Sequence, residues 1–246
     1  MEIQKFTKDK ANKYKVLIDN ESYTLYDDVI VKYNLISKKE IDRKFLDEVL
    51  SYNDELVSYY ESIKYINKRL RCEKEIVEFL RKKDIDNKTI KDTITKLRDN
   101  KFINDEIYVK SFITDQINLS NNGPHKIRKQ LIKLELDENL INEYLNKVAS
   151  EEWLDRIEKI VSKKIKLNHS NSAYILKAKL QNELVNLGYD KESIIDVLNH
   201  ISIDDAEIRE KEYNKIRKSL EKKYSGQELE YKIKEKLYRK GFRVGE

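Results

Sequence analysis

The chain has 246 residues, of which 39% are charged and 39% hydrophobic, and it contains only five glycines and one proline. This composition fits a mainly helical protein better than a sandwich or barrel, which needs many turns, and the regular recurrence of Ile, Leu, Tyr and Phe argues against a disordered chain. The formal net charge is +5, and no apolar run approaches the roughly 18 residues of a membrane span. We therefore expect a mainly α-helical protein with no membrane association.

Two features set the expected compartment. The first ten residues, MEIQKFTKDK, lack the apolar core of a signal peptide, so we expect a cytoplasmic protein. The single cysteine, Cys72, excludes an internal disulfide and a multi-cysteine zinc site. A thiolate would be stabilised at the helix start where Cys72 lies, but an ordinary N-cap is the simpler interpretation.

The N-terminal segment is predicted to form a β-hairpin. Residues 15–19 and 22–25 are rich in β-branched and aromatic side chains, and they flank a turn predicted at Asn20-Glu21. Residues 3–6 offer a third edge for the same sheet.

Two helices are predicted after the hairpin, over residues 26–33 and 38–51. The second has Ser37 as its N-cap and Glu40 at the capping-box position. Together with the hairpin they predict a small α/β cap over residues 1–52.

A repeat with a period near 50 residues follows. Four leucines stand at intervals of 51, 53 and 53 residues: Leu80, Leu131, Leu184 and Leu237. Fixed offsets from these anchors hold Ile76, Ile90, Ile94 and Leu97 in the first copy, Ile127, Ile141, Leu145 and Val148 in the second, Leu180, Ile194, Leu198 and Ile201 in the third, and Ile233 in the fourth. Spacings of three and four place such residues on one face of a helix. The pattern predicts similar helical units that stack on one another.

The turn after each anchor also repeats. Four residues after the anchors stand Asp84, Glu135, Gly188 and Gly241. The two glycines suit a helix C-cap in the left-handed conformation. We expect the turns at Asp84 and Glu135 to close differently, because residues with a Cβ adopt that conformation less readily. At the other end of the second anchor helix, Asn122 or Gly123 is the predicted N-cap and Pro124 the first helical residue.

Each unit is predicted to hold three helices, which in the first unit span residues 54–70, 73–83 and 87–100. The predicted fold is a set of tandem three-helix repeats forming a curved elongated array, with a small N-terminal β-hairpin plus helix cap. The predicted domains are the cap (1–52), three three-helix repeats (53–101, 102–149 and 150–202) and a partial, basic fourth repeat of two helices (203–246).

No catalytic or cofactor motif occurs in the sequence. It has no Gly-Lys-Ser/Thr phosphate loop and no G-x-G-x-x-G pattern. The three histidines, His125, His169 and His200, stand far apart and have no partner at metal-ligand spacing. We therefore predict no enzymatic activity, no cofactor and no metal site.

Basic residues are concentrated at helix starts and on helix faces. Residues 209–246 contain 13 Lys/Arg and 7 Asp/Glu, a local charge of +6. The predicted contact residues are Lys68, Arg69, Arg71, Lys74, Lys126, Arg128, Lys129, Lys133, Lys218, Lys222, Lys232, Lys236, Arg239 and Lys240. Aligned on successive units, they would form a basic track suited to phosphates or to an acidic protein groove. The alternative is an ordinary solvated surface, since any amphipathic helix in a lysine-rich protein carries a basic stripe.

Two segments resemble the RecX family. KRLRCEKEI at residues 68–76, followed by Leu80, resembles the family's arginine-rich opening. NDE at 104–106, then Phe112 and GPHKIRKQL at 123–131, resembles its most recognisable segment. The resemblance covers essentially the whole chain, and the extended C-terminus looks like that of members from Gram-positive bacteria. The departures are Cys72 for the usual serine, Gln116 for a common arginine, Gln130 for an acidic residue and Glu135 for the usual turn glycine.

The resemblance implies a regulator of the RecA recombinase that acts without catalysis. Family members bind the RecA–single-stranded DNA filament in its groove and modulate, mostly inhibit, recombinase, ATPase and co-protease activity in DNA repair and the SOS response. The implied partners are the RecA filament and single-stranded DNA, with double-stranded DNA as an alternative, and we expect a monomer. The residues alone leave two other functions open: a stand-alone nucleic-acid-binding repeat protein, and a helical-repeat scaffold for another protein partner.

Overall fold

A three-stranded antiparallel sheet opens the fold, and helices form most of the remaining described chain. The structure is a computed structural model, and it describes residues 1–10 and 12–243. The strands are β1 (Ile3–Lys10), β2 (Lys13–Ile18) and β3 (Glu21–Tyr26), in the order β1-β2-β3. β1 confirms the predicted third edge and extends it.

The turn between β2 and β3 is formed by Asp19 and Asn20. Ile18 pairs with Glu21, and φ is 45° at Asp19 and 67° at Asn20. Positive φ at both central residues matches the twist of a two-residue hairpin, and Asp and Asn tolerate this conformation. The turn predicted at Asn20-Glu21 is therefore wrong by one position, because Glu21 is the first residue of β3.

The predicted start of the second helix is also wrong. α1 (Asp27–Lys32) is followed by a short 3-10 turn, Leu35–Ser37, and then by α2 (Arg43–Ile66). Ser37 ends the 3-10 turn, and Asp42 is the N-cap of α2 instead. The Asp42 carboxylate accepts a hydrogen bond from the backbone N–H of Phe45 at 2.7 Å, as N-cap side chains do.

α2 is one helix of 24 residues where the sequence predicted two, over 38–51 and 54–70. Asn53 lies between those predicted helices and is buried within α2. Its side chain accepts a hydrogen bond from the Tyr26 N–H at 3.1 Å and donates one to the Thr24 carbonyl at 3.3 Å. The asparagine therefore ties α2 to the end of β3, and the predicted boundary between residues 52 and 53 falls inside this helix.

The core of the N-terminal part lies between the sheet and the first two helices. Val16 and Ile18 alternate with more exposed residues along β2, as expected of a strand with one buried face. The fully buried members of this core are Val16, Ile18, Leu25, Val29, Leu35, Leu46 and Val49.

Ten further helices follow in the described chain. They are α3 (Glu73–Arg81), α4 (Asn87–Asp99), α5 (Asp105–Leu119), α6 (Pro124–Lys133), α7 (Glu138–Asn146), α8 (Ser150–Lys166), α9 (Ala173–Leu187), α10 (Lys191–His200), α11 (Ala206–Leu220) and α12 (Gly226–Arg239). The helices predicted near 73–83 and 87–100 are confirmed as α3 and α4. None of the described helices is both long and apolar enough to cross a membrane.

The anchor leucines lie on α3, α6, α9 and α12, where each is at most 3% exposed. An aspartate six residues after an anchor then caps the next helix in three places: Asp86 before α4, Asp137 before α7 and Asp190 before α10. Each carboxylate accepts a backbone N–H hydrogen bond of 2.8–3.0 Å. An N-cap of this kind contributes about 1 kcal/mol to stability. The aspartates are part of the repeat, although the apolar spacing alone does not reveal them.

All four anchor turns adopt the same left-handed conformation. φ is 58° at Asp84, 62° at Glu135, 88° at Gly188 and 78° at Gly241. The expectation that Asp84 and Glu135 close their turns differently is therefore wrong. In at least three turns the backbone N–H five residues after the anchor donates to the anchor's carbonyl, from Ile85, Tyr189 and Phe242. This is the Schellman arrangement, which satisfies carbonyls that a helix end leaves free.

Helix packing explains why two of these turns contain glycine. A Cβ at Gly188 would lie 2.4 Å from the backbone nitrogen of Lys126, and a Cβ at Gly241 would lie 2.7 Å from the Ser172 hydroxyl oxygen. Gly123 is also confined, because a Cβ added there would lie 2.6 Å from the Gly188 carbonyl oxygen. Two of the four turns therefore need glycine for close approach of another helix as well as for positive φ.

These close approaches join α6, α9 and α12 head to tail. The C-terminal end of α9 meets the start of α6, and the C-terminal end of α12 meets the start of α9. Gly123, one of the two predicted candidates, is the N-cap of α6, and Pro124 is its first residue, as predicted. The hydrogen bonds at the two junctions run from the Gly123 N–H to the Leu187 carbonyl (2.7 Å), from the His125 N–H to the Gly188 carbonyl (3.0 Å) and from the Ser172 hydroxyl to the Lys240 carbonyl (3.0 Å).

The chain divides into two compact units, residues 1–108 and residue 109 onwards. The first unit contains the sheet and α1 to α4. In the second unit, separate apolar clusters lie among α8, α9 and α10 and between α11 and α12. The repeat boundaries after residues 101, 149 and 202, and the curvature of the array, stay predictions.

Candidate functional site

The predicted basic residues before α3 surround one carboxylate. Glu75 Oε1 accepts hydrogen bonds from Arg69 at 2.5 Å and Arg71 at 3.2 Å. Glu75 Oε2 accepts from the Tyr108 hydroxyl at 3.0 Å and from the Cys72 backbone N–H at 3.2 Å. Burial alone would raise the pKa of Glu75, but the hydrogen bonds and the arginine charge outweigh it and leave the pKa below its usual value. The first basic cluster therefore stabilises the start of α3.

Arg71 is held most firmly of these residues. Its side chain is only 11% exposed, and its guanidinium lies 3.8 Å from the centroid of the Tyr65 ring. Tyr65 in turn stacks on Phe79 with a centroid distance of 4.2 Å. Arg71 thus joins a buried ion pair to a cation–π contact, whereas Lys68 in the loop before it is exposed.

Cys72 is the N-cap of α3 and is buried, with 1% of its surface exposed. Burial raises the pKa of its thiol, which disfavours the reactive thiolate. The N-cap interpretation of this residue is confirmed.

The basic residues of α6 divide into paired and unpaired side chains. Arg128 donates hydrogen bonds to Asn142 at 2.9 Å and to Glu138 at 2.6 Å, both on α7. Lys126 is half-buried beside the α9 junction, and Lys129 one turn later is exposed. Neither lysine forms an ion pair with a described residue. α6 therefore presents positive charge that the fold itself does not neutralise.

On α12 most of the predicted basic residues are paired with glutamates. Lys232 and Arg239 approach Glu235 at 3.3 Å and 2.5 Å. Lys240 reaches Glu212 of α11 at 2.5 Å, and this hydrogen bond lowers the pKa of Glu212. Among the predicted contact residues of this helix pair, Lys218, Lys222 and Lys236 are exposed and form no ion pair with a described residue. The exposed Lys223 and Lys234, which were not predicted, form none either.

The predicted contact residues thus fall into two groups. The group that we call the unpaired lysines consists of Lys68, Lys126, Lys129, Lys218, Lys222 and Lys236. The others interact with further residues of the described chain: Arg69, Arg71, Lys74, Arg128, Lys133, Lys232, Arg239 and Lys240. Of the predicted contact residues, the unpaired lysines are the ones available to an external anion, and all of them except Lys68 lie in the second unit.

The sequence reasoning missed a basic cleft on α8. Arg156, Lys159 and Lys163 are spaced by three and four residues and line a cleft of about 320 Å³. Arg156 donates to the carbonyls of Ile117 and Ser120, the latter at 2.7 Å, and so binds the C-terminal end of α5. Helical spacing of these cations was the signal available in the sequence. Among the described residues, no cluster of three or more His, Cys, Asp or Glu side chains is arranged to hold a metal.

Comparison with known proteins places the chain in a family. No family model matches it. A regulatory protein RecX from Bacillus cytotoxicus is 32% identical over an alignment of 253 positions, which covers 100% of this chain and 93% of the relative. The chain belongs to the RecX family. A RecX protein from Bacillus mycoides is 31% identical with the same coverage, and these relatives are named regulatory proteins.

Solved RecX structures share the fold. One crystal structure of regulatory protein RecX superposes with a TM-score of 0.70 at 20% identity, covering 81% of this chain and 99% of that chain. RecX from Lactobacillus salivarius gives a TM-score of 0.55 at 25% identity and covers 60% and 96% of the two chains. The mainly helical RecX fold is therefore confirmed for this protein.

The two segments that resemble RecX both lie at helix starts. Residues 68–76 form the loop and first turn of α3, where Glu75 gathers two arginines. Residues 123–131 form the start of α6, where Gly123 contacts the end of α9. Much of the sequence similarity in these RecX segments therefore serves to position helices, and only part of it is available for partners.

Proposed function

We propose that this RecX protein binds the RecA–single-stranded DNA filament in its groove and regulates RecA, mostly by inhibition. The activities affected are strand exchange, ATP hydrolysis and co-protease function, in cytoplasmic DNA repair and the SOS response. The protein acts as a monomer by occupying the filament and performs no catalysis. Full-length similarity to proteins named regulatory protein RecX supports this proposal.

The observation that carries the proposal is the set of unpaired lysines in the second unit. Lys126 and Lys129 lie one turn apart on α6, and Lys218, Lys222 and Lys236 are exposed on α11, α12 and their connection. Because no described carboxylate neutralises these charges, they can pair with phosphates or with acidic side chains of RecA. The paired arginines before α3, Arg69 and Arg71, would first have to leave Glu75, so they contribute less to binding.

The repeat architecture suits a polymeric partner. When each three-helix repeat presents its middle helix in a similar way, successive repeats can contact successive subunits of a helical filament. Several weak contacts on one chain then act together through their high effective concentration. A filament therefore binds more tightly than isolated RecA, which separates this proposal from a general protein scaffold.

The test is RecA ATP hydrolysis on single-stranded DNA, titrated with this protein at several salt concentrations. We expect inhibition that weakens with salt, and little effect on RecA without DNA. The variant Lys126→Glu/Lys129→Glu should need about tenfold more protein for the same inhibition, because two attractive charges become repulsive.

A matched control reverses the same number of charges elsewhere. Lys88 and Lys91 are exposed on α4 and are not among the predicted contact residues, so Lys88→Glu/Lys91→Glu should inhibit like the wild type. A wild-type protein that leaves RecA activity unchanged at every salt concentration would refute the proposal. Tight DNA binding without any effect on RecA would instead indicate the stand-alone nucleic-acid-binding protein.

A further inference from the structure

α12 has an exposed aromatic face that the fold does not use. Leu229, Ile233 and Leu237 are buried and pack toward α11. Tyr231 and Tyr238 are 66% and 71% exposed. Seven residues separate them, so they project from the same side of the helix, about 10 Å apart along its axis. That side lies opposite the buried stripe.

Two other tyrosines of the α11–α12 pair have structural roles. Tyr213 donates a hydrogen bond to Glu230 at 2.8 Å, and Tyr224 packs against the apolar cluster between α11 and α12. By contrast, no hydrogen bond or ring contact to another described residue engages the Tyr238 side chain. Two large aromatic side chains are thus held in water at positions where a polar residue would serve the helix equally well.

Cations accompany these exposed rings. The Lys232 ammonium lies 5.7 Å from the centroid of the Tyr231 ring. Tyr174 of α9 is 55% exposed and lies beside Gly241, at the end of α12. The Arg243 guanidinium is 4.9 Å from the Tyr174 centroid.

The surrounding charge is positive. Residues 226–243 contain six Lys/Arg and three Glu. Of these glutamates, Glu230 accepts a hydrogen bond from Tyr213, and Glu235 pairs with Lys232 and Arg239. Lys234 and Lys236 are exposed and form no ion pair with a described residue. The face therefore combines exposed rings with a net positive surface, which complements a ligand that has both flat rings and negative charge.

We propose that the Tyr231–Tyr238 face of α12, with Tyr174 beside its end, stacks the bases of single-stranded nucleic acid. Aromatic rings accept any base on their π-face, while neighbouring cations bind the backbone phosphates. A lipid surface fits less well, because Lys234 lies between the two tyrosines on the same face. The inference rests on the proposed function, since a filament regulator meets single-stranded DNA, and it assigns the DNA contact to α12.

The test measures by fluorescence anisotropy how tightly the wild type and two double variants bind labelled oligothymidylate and an abasic strand of the same length. Tyr231→Leu/Tyr238→Leu keeps apolar bulk but removes the rings, and Tyr231→Phe/Tyr238→Phe keeps the rings. We expect the leucine variant to bind oligothymidylate about tenfold more weakly and the phenylalanine variant to bind like the wild type. All three should bind the abasic strand equally, because its phosphates are unchanged. Circular dichroism checks that the variants fold.

Three results would overturn the inference. The first is equal binding of oligothymidylate by all three proteins. The second is a wild-type protein that binds the abasic strand as tightly as it binds oligothymidylate. The third is a leucine variant that keeps its DNA affinity but no longer inhibits RecA, since the face would then contact protein. The proposed function is judged separately, because it fails only if the wild-type protein does not alter RecA ATP hydrolysis.

Discussion

The starts of α3 and α6 show how one sequence pattern leads to two different surfaces. Both helices carry a buried anchor leucine, and both begin among basic residues. At α3, Glu75 binds Arg69 and Arg71, so the cations belong to the fold. At α6, the backbone itself packs on the end of α9, and Lys126 and Lys129 stay unpaired. A basic cluster is therefore available to an external partner only where no internal carboxylate neutralises it.

The largest expected effect comes from breaking the α3 side of this comparison. Glu75→Ala leaves Arg71, which is mostly buried, without its anionic partner. Losing one member of such a pair should lower the free energy of unfolding by about 3 kcal/mol, as measured by urea denaturation. Glu78 is exposed on the same helix, so Glu78→Ala is the matched control and should cost far less. Equal losses for the two variants would contradict the role given to Glu75.

The same carboxylate gives this effect a defined pH dependence. The pKa of Glu75 lies below its ordinary value in the folded protein. A carboxylate with a lowered folded pKa stabilises above its unfolded pKa, and this contribution is lost as the pH falls through the folded pKa. The stability difference between wild type and Glu75→Ala should therefore be complete at pH 7 and shrink below about pH 4. A constant difference across this range would show that packing, and not charge, is responsible.

The start of α6, the second region of this comparison, can be disrupted where it packs against the end of α9. Gly188→Ala places a Cβ 2.4 Å from the Lys126 backbone nitrogen and adds strain at a φ of 88°. We expect a loss of about 3 kcal/mol in unfolding free energy, from overpacking and left-handed strain together.

Gly226 provides a control that separates these two causes. It also has positive φ, at 57°, but a Cβ there would meet nothing within 4 Å. Gly226→Ala should therefore cost only the strain, about 1 kcal/mol. If the two glycine variants unfold at the same urea concentration, the head-to-tail contact between α9 and α6 does not contribute to stability.

The smallest expected change in unfolding free energy concerns the anchor turns, which differ in whether a glycine holds the left-handed position. Asp84 adopts a φ of 58°, so Asp84→Gly should relieve left-handed strain and raise the free energy of unfolding by about 1 kcal/mol. Asp92 is exposed within α4, and Asp92→Gly should destabilise by about 0.3 kcal/mol because glycine disfavours helix interiors more than aspartate does. Thermal denaturation of both variants distinguishes the effects by sign, and a destabilising Asp84→Gly would contradict this account.

Parts of the site that depend on local spacing were predictable from the sequence. The anchor leucines, the cap at Gly123 and the N-cap at Cys72 all follow from periodicity and helix-start chemistry, and the structure confirms them. The spacing of the α8 cations was visible in the sequence, but the contacts of Arg156 were not. Its partners are the backbone carbonyls of residues 117 and 120, a group that every residue carries. The tyrosine face of α12 was missed for another reason, since exposure of a ring depends on which stripe of the helix is buried.

The sequence by itself determined the helical composition, the 50-residue period, the hairpin and the family, because these depend on spacing and residue type along the chain. Only the tertiary structure decided that α2 is continuous, since Asn53 finds its partners on β3. It also decided that Asp84 and Glu135 tolerate left-handed turns while Gly188 cannot be replaced without a clash. Above all it decided which basic residues stay unpaired, because a nearby carboxylate is a property of the folded chain and not of the sequence window around the lysine.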